Sequence, residues 1–381
     1  MPGFKDRIGG GPWMSRERVV VAMSGGVDSS VAAALLVEQG HDVIGVTLNV
    51  WPERKGAEPA DRVDACCSLA AVEDARRVAD HLAIPHYTLN FRDIFAGTVI
   101  ANFCSEYVRG RTPNPCIRCN AHIKFGALLA KARGLGARYV ATGHHARTRY
   151  DSRRGRHILQ KGVDRDKDQS YVLYVMTQDQ LAHTLMPVGH ITKSEVRQMA
   201  AERGLPVARK PESQEICFVP EGDYGAFLQD YVPNAARPGP ILDKSGNLLG
   251  HHKGIAFYTV GQRRGLGLAG REPHYVIAID PSRNALIVGS ERDLYSSDLE
   301  ADDLNFISIP ELKQPMKVAA KIRYRSQEAE AVASPLSGGK MAVHFHRPQR
   351  AITPGQAVVL YEGDVVVGGG TITTSHLFTA Q

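Results

Sequence analysis

The 381-residue chain has no apolar run of the about 18 residues that a membrane-spanning helix requires. A helical membrane protein is therefore not expected. Met1 to Glu17 are polar and glycine-rich, without the apolar centre of a signal peptide. They read as a flexible tail, with Met14 as an alternative start, and the expected location is cytoplasmic. No glycine loop ends in Gly-Lys-Ser or Gly-Lys-Thr, which excludes the Walker type of phosphate site. A single Cys-x-x-Cys pair occurs, whereas structural zinc usually takes two. Neither sign of charge dominates: 46 Lys and Arg against 40 Asp and Glu leave a net +6. That balance permits a polyanionic partner without requiring one. No long internal repeat or low-complexity segment is present.

What the chain does contain is concentrated in Val19-Val20-Val21-Ala22-Met23-Ser24-Gly25-Gly26-Val27-Asp28-Ser29-Ser30. A β-branched run enters a Ser-Gly-Gly turn and restarts as a helix through Val31 to Leu36. Such a turn aims backbone N–H groups and the positive end of a helix at one point, which suits phosphate. The hydroxyls of Ser24, Ser29 and Ser30 add donors. The competing reading is a plain glycine turn between strand and helix.

Strand-like and helix-like stretches alternate from residue 18 to about 215. Asp42–Leu48, Ile84–Asn90 and Tyr139–Thr142 follow as strands, with helices over Ala70–Leu82, Lys124–Arg133 and Thr192–Gly204. Thr192 with Glu195 forms a capping box. This alternation predicts a doubly wound parallel α/β sheet, whose ligands bind at the carboxyl ends of the strands. Ser24–Ser30 and Gly143-His144-His145 fall at such ends. After Pro220 glycine and proline become frequent, and short apolar stretches separated by turns predict a small barrel. The expected divisions are a tail over 1–17, an α/β domain over 18–219, a small mixed α/β linking domain over 220–292 and a C-terminal β-barrel over 293–381.

Clustered cysteines in a reducing compartment point to thiol or metal chemistry rather than scaffolding. Thr112-Pro113-Asn114-Pro115-Cys116-Ile117-Arg118-Cys119-Asn120 places two prolines before a helix start, where the dipole and Arg118 favour thiolate. Cys217 follows in Glu215-Ile216-Cys217-Phe218-Val219-Pro220. A nucleophilic thiol and an iron–sulfur cluster on Cys116, Cys119 and Cys217 with one open position are both compatible with this set. Cys104 and the adjacent Cys66-Cys67 read as structural, as do His144, His145, His251 and His252. The basic clusters at Arg147–Arg156, Arg263-Arg264 and Lys321–Arg325 read singly as solvated faces. Gly265-Leu266-Gly267-Leu268-Ala269-Gly270 spells a dinucleotide fingerprint, but Pro273 follows and no helix does.

Taken in order, these motifs resemble the bacterial tRNA-specific 2-thiouridylases, of the pyrophosphate-loop ATP pyrophosphatase superfamily. The match runs through Ser-Gly-Gly-Val-Asp-Ser, Asn-Pro-Cys-Ile-Arg-Cys-Asn, Ala141–Arg147, Lys167–Tyr171, Ser213–Pro220, Tyr258–Gly267 and Lys321–Arg325. The resemblance implies ATP-dependent 2-thiolation of the wobble uridine in the tRNA anticodon loop. Ala22, Met23, Ser24, Gly25, Gly26, Val27, Asp28 and Ser29 would hold ATP with Mg²⁺, and Leu48 and Gly143 would contact its nucleoside. Cys217 would carry a persulfide, and Cys119 would release its sulfur or resolve the product as a Cys119–Cys217 disulfide. Asn114, Pro115 and Cys116 would line the pocket of the flipped base, while Lys167, Asp168, Gln169, Arg323 and Tyr324 would touch tRNA. Many relatives carry aspartate where Cys116 stands, and the third thiol keeps a [4Fe–4S] reading open. The implied partners are tRNA and a cysteine desulfurase or sulfur carrier, the implied state a monomer. An amidating ligase with the same loop and a non-catalytic RNA-binding scaffold are the competing functions.

Overall fold

The structure is a computed structural model that describes residues 16–51, 69–211, 216–219, 223–268 and 272–375. Cys66, Cys67, Met14 and the end of the Gly265–Gly270 stretch lie outside the described residues. The chain forms two compact units. The first comprises Met1–Val99, Cys116–Phe218 and Asp364–Val366, the second Ile100–Pro115, Val219–Gly363 and Val367–Gln381.

In the first unit β1 (Arg18–Ala22), β2 (Asp42–Asn49), β3 (His86–Asn90), β4 (Tyr139–Ala141) and β7 (Thr184–Leu185) form a parallel sheet of order β3-β2-β1-β4-β7. Val19, Val20 and Val21 are fully buried, the two-sided burial that a β-branched run in a covered parallel sheet requires. Helices Val27–Glu38, Leu69–His81 and Lys193–Glu202 contribute Val31, Leu35, Val78 and Val196 to one core with the sheet. Chain order reverses between β1 and β4, so the loops after these strands flank a topological switch point. β5 (Ala146–Asp151) and β6 (Arg156–Lys161) form an antiparallel hairpin that carries the Arg147–Arg156 cluster.

The helix expected over Lys124–Arg133 differs in its first half. Cys119–Ala127 is a π-helix that continues as an α-helix over Leu128–Gly134. A Cβ on Gly126 would lie 2.9 Å from the carbonyl oxygen of Ala121, so glycine lets the wider turn close. Such π segments often sit at functional sites.

The second unit holds a four-stranded sheet and a barrel. β8 (Gly239–Leu242), β9 (Leu248–His252), β10 (Tyr275–Asp280) and β11 (Ala285–Gly289) run in the order β10-β11-β8-β9. β12 (Tyr295–Phe306), β13 (Met316–Lys321), β14 (Ala329–Leu336), β15 (Lys340–Arg350), β16 (Ala357–Glu362) and β17 (Val365–Ser375) follow in the order β12-β15-β14-β13-β16-β17. β12 also pairs with β17, which closes the barrel around Leu299, Val343, Phe345, Leu360 and Ile372. The α/β sheet and the barrel are those expected from the sequence. No described helix is long and apolar enough to cross a membrane.

Candidate active site

The Ser-Gly-Gly-Val-Asp-Ser loop is built by its own short side chains. Ser24 N donates to Ser29 Oγ at 3.2 Å, Ser29 Oγ to Gly26 O at 3.1 Å and Ser30 Oγ to the same carbonyl at 2.8 Å. Gly25 has φ +66°, and a Cβ there would fall 2.3 Å from Ala71 O. No side chain caps Val27–Glu38 at Gly26, which leaves the N-terminal end of this helix open to an anion. Gly143 lies against the same turn: its Cβ would be 2.5 Å from Ser29 N and 2.6 Å from Asp28 C. Ala22, Leu48 and Gly143 therefore stand at or just past the carboxyl ends of three adjacent strands.

Asp28 is the electrostatic centre. Lys193 Nζ donates to its two oxygens at 2.6 and 2.7 Å, and His145 Nε2 lies 3.1 Å from Oδ1. Burial by itself would raise the Asp28 carboxyl, but the His145 hydrogen bond and the Lys193 charge outweigh it. The pKa lies below the ordinary value. Lys193 is buried, and it occupies the first turn of its helix, where the dipole disfavours a cation. Sequence reasoning missed it, because its partner lies 165 positions away and no local pattern marks the pair. His145, read from sequence as structural, meets Asp28 through Nε2, and among the described residues its buried Nδ1 has no hydrogen-bond partner. His144, also read as structural, has Nδ1 2.8 Å from Thr142 Oγ1. Burial, and then Lys124, hold its pKa well below the usual range.

Lys193 Nζ takes both oxygens of Asp28. Among the described residues no group of three His, Cys, Asp or Glu side chains is disposed to hold a metal. Cys116, Cys119 and Cys217 form no such group among the described residues. A Mg²⁺ ion would enter as part of the nucleotide.

The thiols divide by environment. Cys104 is buried, and burial pushes its thiol up to about 11. Cys116 is exposed, and Cys119 and Cys217 are half-buried. Cys119 opens the π-helix, which packs against the short helix Arg92–Phe95. Phe95 meets Phe218, next to Cys217, edge-on at 5.5 Å. The short helix Arg92–Phe95 thus lies beside both segments that carry the half-buried thiols.

The other expected contacts fall in different settings. Asp168 is buried and accepts from Gly162 N, Ser170 N and Ser170 Oγ, while Gln169 accepts from His145 N. Both shape the loop around His145, and Lys167 beside them is half-buried. Asn114 is half-buried and Pro115 buried at the start of helix Pro115–Arg118. On the barrel, Arg323 borders a cleft of about 320 Å³ with Ile322, Ser326, Gln349 and Arg350. Lys321 Nζ lies 5.9 Å from the centre of the Tyr324 ring.

The sheet, its loop and the two following β domains define a HUP-domain protein joined to a PRC-type barrel and a terminal barrel. Residues 17–221 match the family described as "tRNA methyl transferase HUP domain", residues 225–290 its "PRC-barrel domain" and residues 296–372 the "Aminomethyltransferase beta-barrel domain". The tRNA-specific 2-thiouridylase MnmA of Moorella thermoacetica is 60% identical over 353 residues, 93% of this chain and 98% of that protein. That of Acetivibrio thermocellus is 55% identical over 360 residues, 94% of this chain and 100% of that protein. The protein belongs to the tRNA-specific 2-thiouridylase family. A solved 4-thiouridine synthetase–RNA complex with bound ATP aligns at a TM-score of 0.35 and 18% identity, over 57% of this chain and 51% of that one.

Proposed function

We propose that the protein is a tRNA sulfurtransferase that replaces the C2 oxygen of the wobble uridine with sulfur at the expense of ATP. The Ala22–Ser29 loop would bind the phosphates of ATP, with Leu48 and Gly143 at the nucleoside. The uridine O2 attacks the α-phosphorus, a P–O bond breaks, and pyrophosphate leaves. The adenylated oxygen then departs as AMP once a sulfur nucleophile adds at C2. That sulfur comes from a persulfide on Cys217, charged by a cysteine desulfurase or a carrier. Cys119 thiolate attacks the Cys217 Sγ, releases hydrosulfide and forms a Cys119–Cys217 disulfide, which a cellular thiol reductant must reopen. The target base lies in the anticodon loop and must be flipped out to be reached. Arg323 and Tyr324 would meet tRNA as phosphate and stacking contacts.

The observation that carries this reading is the loop itself, an open helix N-terminus with Asp28 held ready by Lys193 and His145. Full-length protein given ATP, tRNA and a persulfide donor should release AMP in step with 2-thiouridine, read by nucleoside mass spectrometry. ATP consumption that is independent of tRNA, with a small-molecule amide as product, would replace this reading with the amidating ligase.

A further inference from the structure

Both partners of Asp28 are tied to one loop of the first unit. The loop runs from Gly162, just past β6, to Ser170, and Asp168 closes it on itself. Its carboxylate accepts from Gly162 N at 3.0 Å, from Ser170 N at 3.1 Å and from Ser170 Oγ at 2.8 Å. A Cβ on Gly162 would lie 2.7 Å from His145 O, so the glycine lets the loop come this close. Gln169 then grips His145 at its N–H and its carbonyl. His145 N donates to Gln169 Oε1 at 2.9 Å, and Gln169 N donates to His145 O at 3.0 Å. Five residues earlier, Asp164 Oδ2 accepts from Lys193 N at 2.9 Å, and Asp164 Oδ1 accepts from Asp166 N at 3.1 Å. Val163 N donates to Gly189 O at 3.0 Å, in the short helix Pro187–His190 that precedes Lys193.

The loop holds the main chain of His145 and Lys193, while the side chains of the same two residues are on Asp28. Lys193 is the first residue of its helix, so its N–H has no acceptor within the helix and Asp164 supplies one. A fixed main chain fixes the root of the side chain and removes conformers that would carry Nζ or Nε2 off the carboxylate. We propose that Gln169 and Asp164 are positioning residues for the nucleotide site: from one closed loop they seat His145 and Lys193 on Asp28. Gln169, which the family resemblance puts against tRNA, acts here on the protein's own chain. This rests on reading the Ser-Gly-Gly loop as the ATP site, while the seating of His145 is testable without any reaction.

The test uses the full-length protein with Gln169→Met, which keeps side-chain length and removes the acceptor, Gln169→Glu, which keeps an acceptor, and Asp164→Ala. Single-turnover pyrophosphate release is measured at saturating ATP and tRNA. It should fall about tenfold in Gln169→Met and in Asp164→Ala, with the tRNA Kd unchanged, as expected for groups moved out of their productive geometry. Gln169→Glu should keep most of the wild-type rate. The side-chain nitrogen resonances of His145, identified by their loss in His145→Gln, should move in Gln169→Met and return in Gln169→Glu. A wild-type rate together with unmoved His145 resonances in Gln169→Met would overturn the proposal. So would a weaker tRNA Kd in both Gln169 variants with the saturated rate unchanged, which would put Gln169 on tRNA instead. Should Gln169→Met fail to fold, Asp164→Ala decides alone, and a wild-type rate there overturns the proposal. Moved His145 resonances in a protein that releases no pyrophosphate, wild type included, would keep the seating of His145 and remove the ATP reading.

Discussion

The nucleotide side and the thiol side of the first unit are built in opposite ways. The phosphate loop is a strand, a turn and a helix in unbroken sequence, and most of its hydrogen bonds run between Ser24, Gly26, Ser29 and Ser30. The thiols Cys119 and Cys217 come from stretches far apart along the chain, with the short helix Arg92–Phe95 beside both, and the first of them follows a proline-stiffened stretch. A site that adenylates must hold phosphates still, so local rigidity serves it. On the proposed function, passing sulfur between two thiols requires that separate segments be brought together, and such assembly is available only from tertiary packing.

Substitutions can break this contrast at either end. The largest effect is expected on the thiol side: Cys217→Ser should abolish 2-thiouridine formation and the AMP release that accompanies it, and leave single-turnover pyrophosphate release and the tRNA Kd near wild type. Thiolation that survives in this variant would remove Cys217 as sulfur carrier. Next is Lys193→Met, which leaves Asp28 without its cation. AMP release should fall by about 10²-fold or more, the scale of losing one preorganised charge in a polar site. Unchanged AMP release there would reduce Lys193 to a fold-stabilising residue. Gly143→Ala is smaller and partly structural. Its methyl group meets backbone at 2.5 Å, so stability should fall by about 1–3 kcal/mol and ATP affinity with it. Wild-type melting and ATP binding would show that the turn can yield.

The same contrast explains what was legible in the sequence. The buried strand Val19–Val21, the Ser-Gly-Gly turn and the capping box at Thr192 are local patterns, and local physics suffices to read them. The Lys193–Asp28 pair spans 165 positions, and the help that His145 gives depends on β1 and β4 lying side by side. The π-helix over Cys119–Ala127 has no period that separates it from an α-helix, apart from Gly126 facing Ala121. The hairpin β5–β6 was legible only as a cluster of arginines. Its alternation is masked because Arg147 and Arg149 are held by Asp364, Gln160 and Asp151 rather than facing water alone.

The smallest effect separates two groups of the nucleotide side, Asp28 and His144, by pH. His144 is buried beside Phe125, with Thr142 on Nδ1 and Lys124 Nζ 3.5 Å from Nε2. Burial first, then the charge of Lys124, depress its pKa, while Asp28 pulls weakly the other way. A histidine whose folded pKa lies below its unfolded value contributes stability that is complete above about pH 6.5. That stability is lost as pH falls below this point, at up to about 1.4 kcal/mol per pH unit for one group. Asp28, also depressed, contributes above about pH 4 and loses its share only in more acid solution. Between pH 7 and pH 5 the Asp28 side should therefore hold while the His144 side weakens. His86, His157, His190 and His252 shift in the same direction and give a background slope. The measurement is thus a difference: urea midpoints for wild type and His144→Gln across that range. The variant should start less stable at pH 7 and lose less on acidification, so the two curves converge. Parallel curves would mean that the ring is reached by water or by a proton without unfolding, and that the floor beside Gly143 is looser than its packing implies.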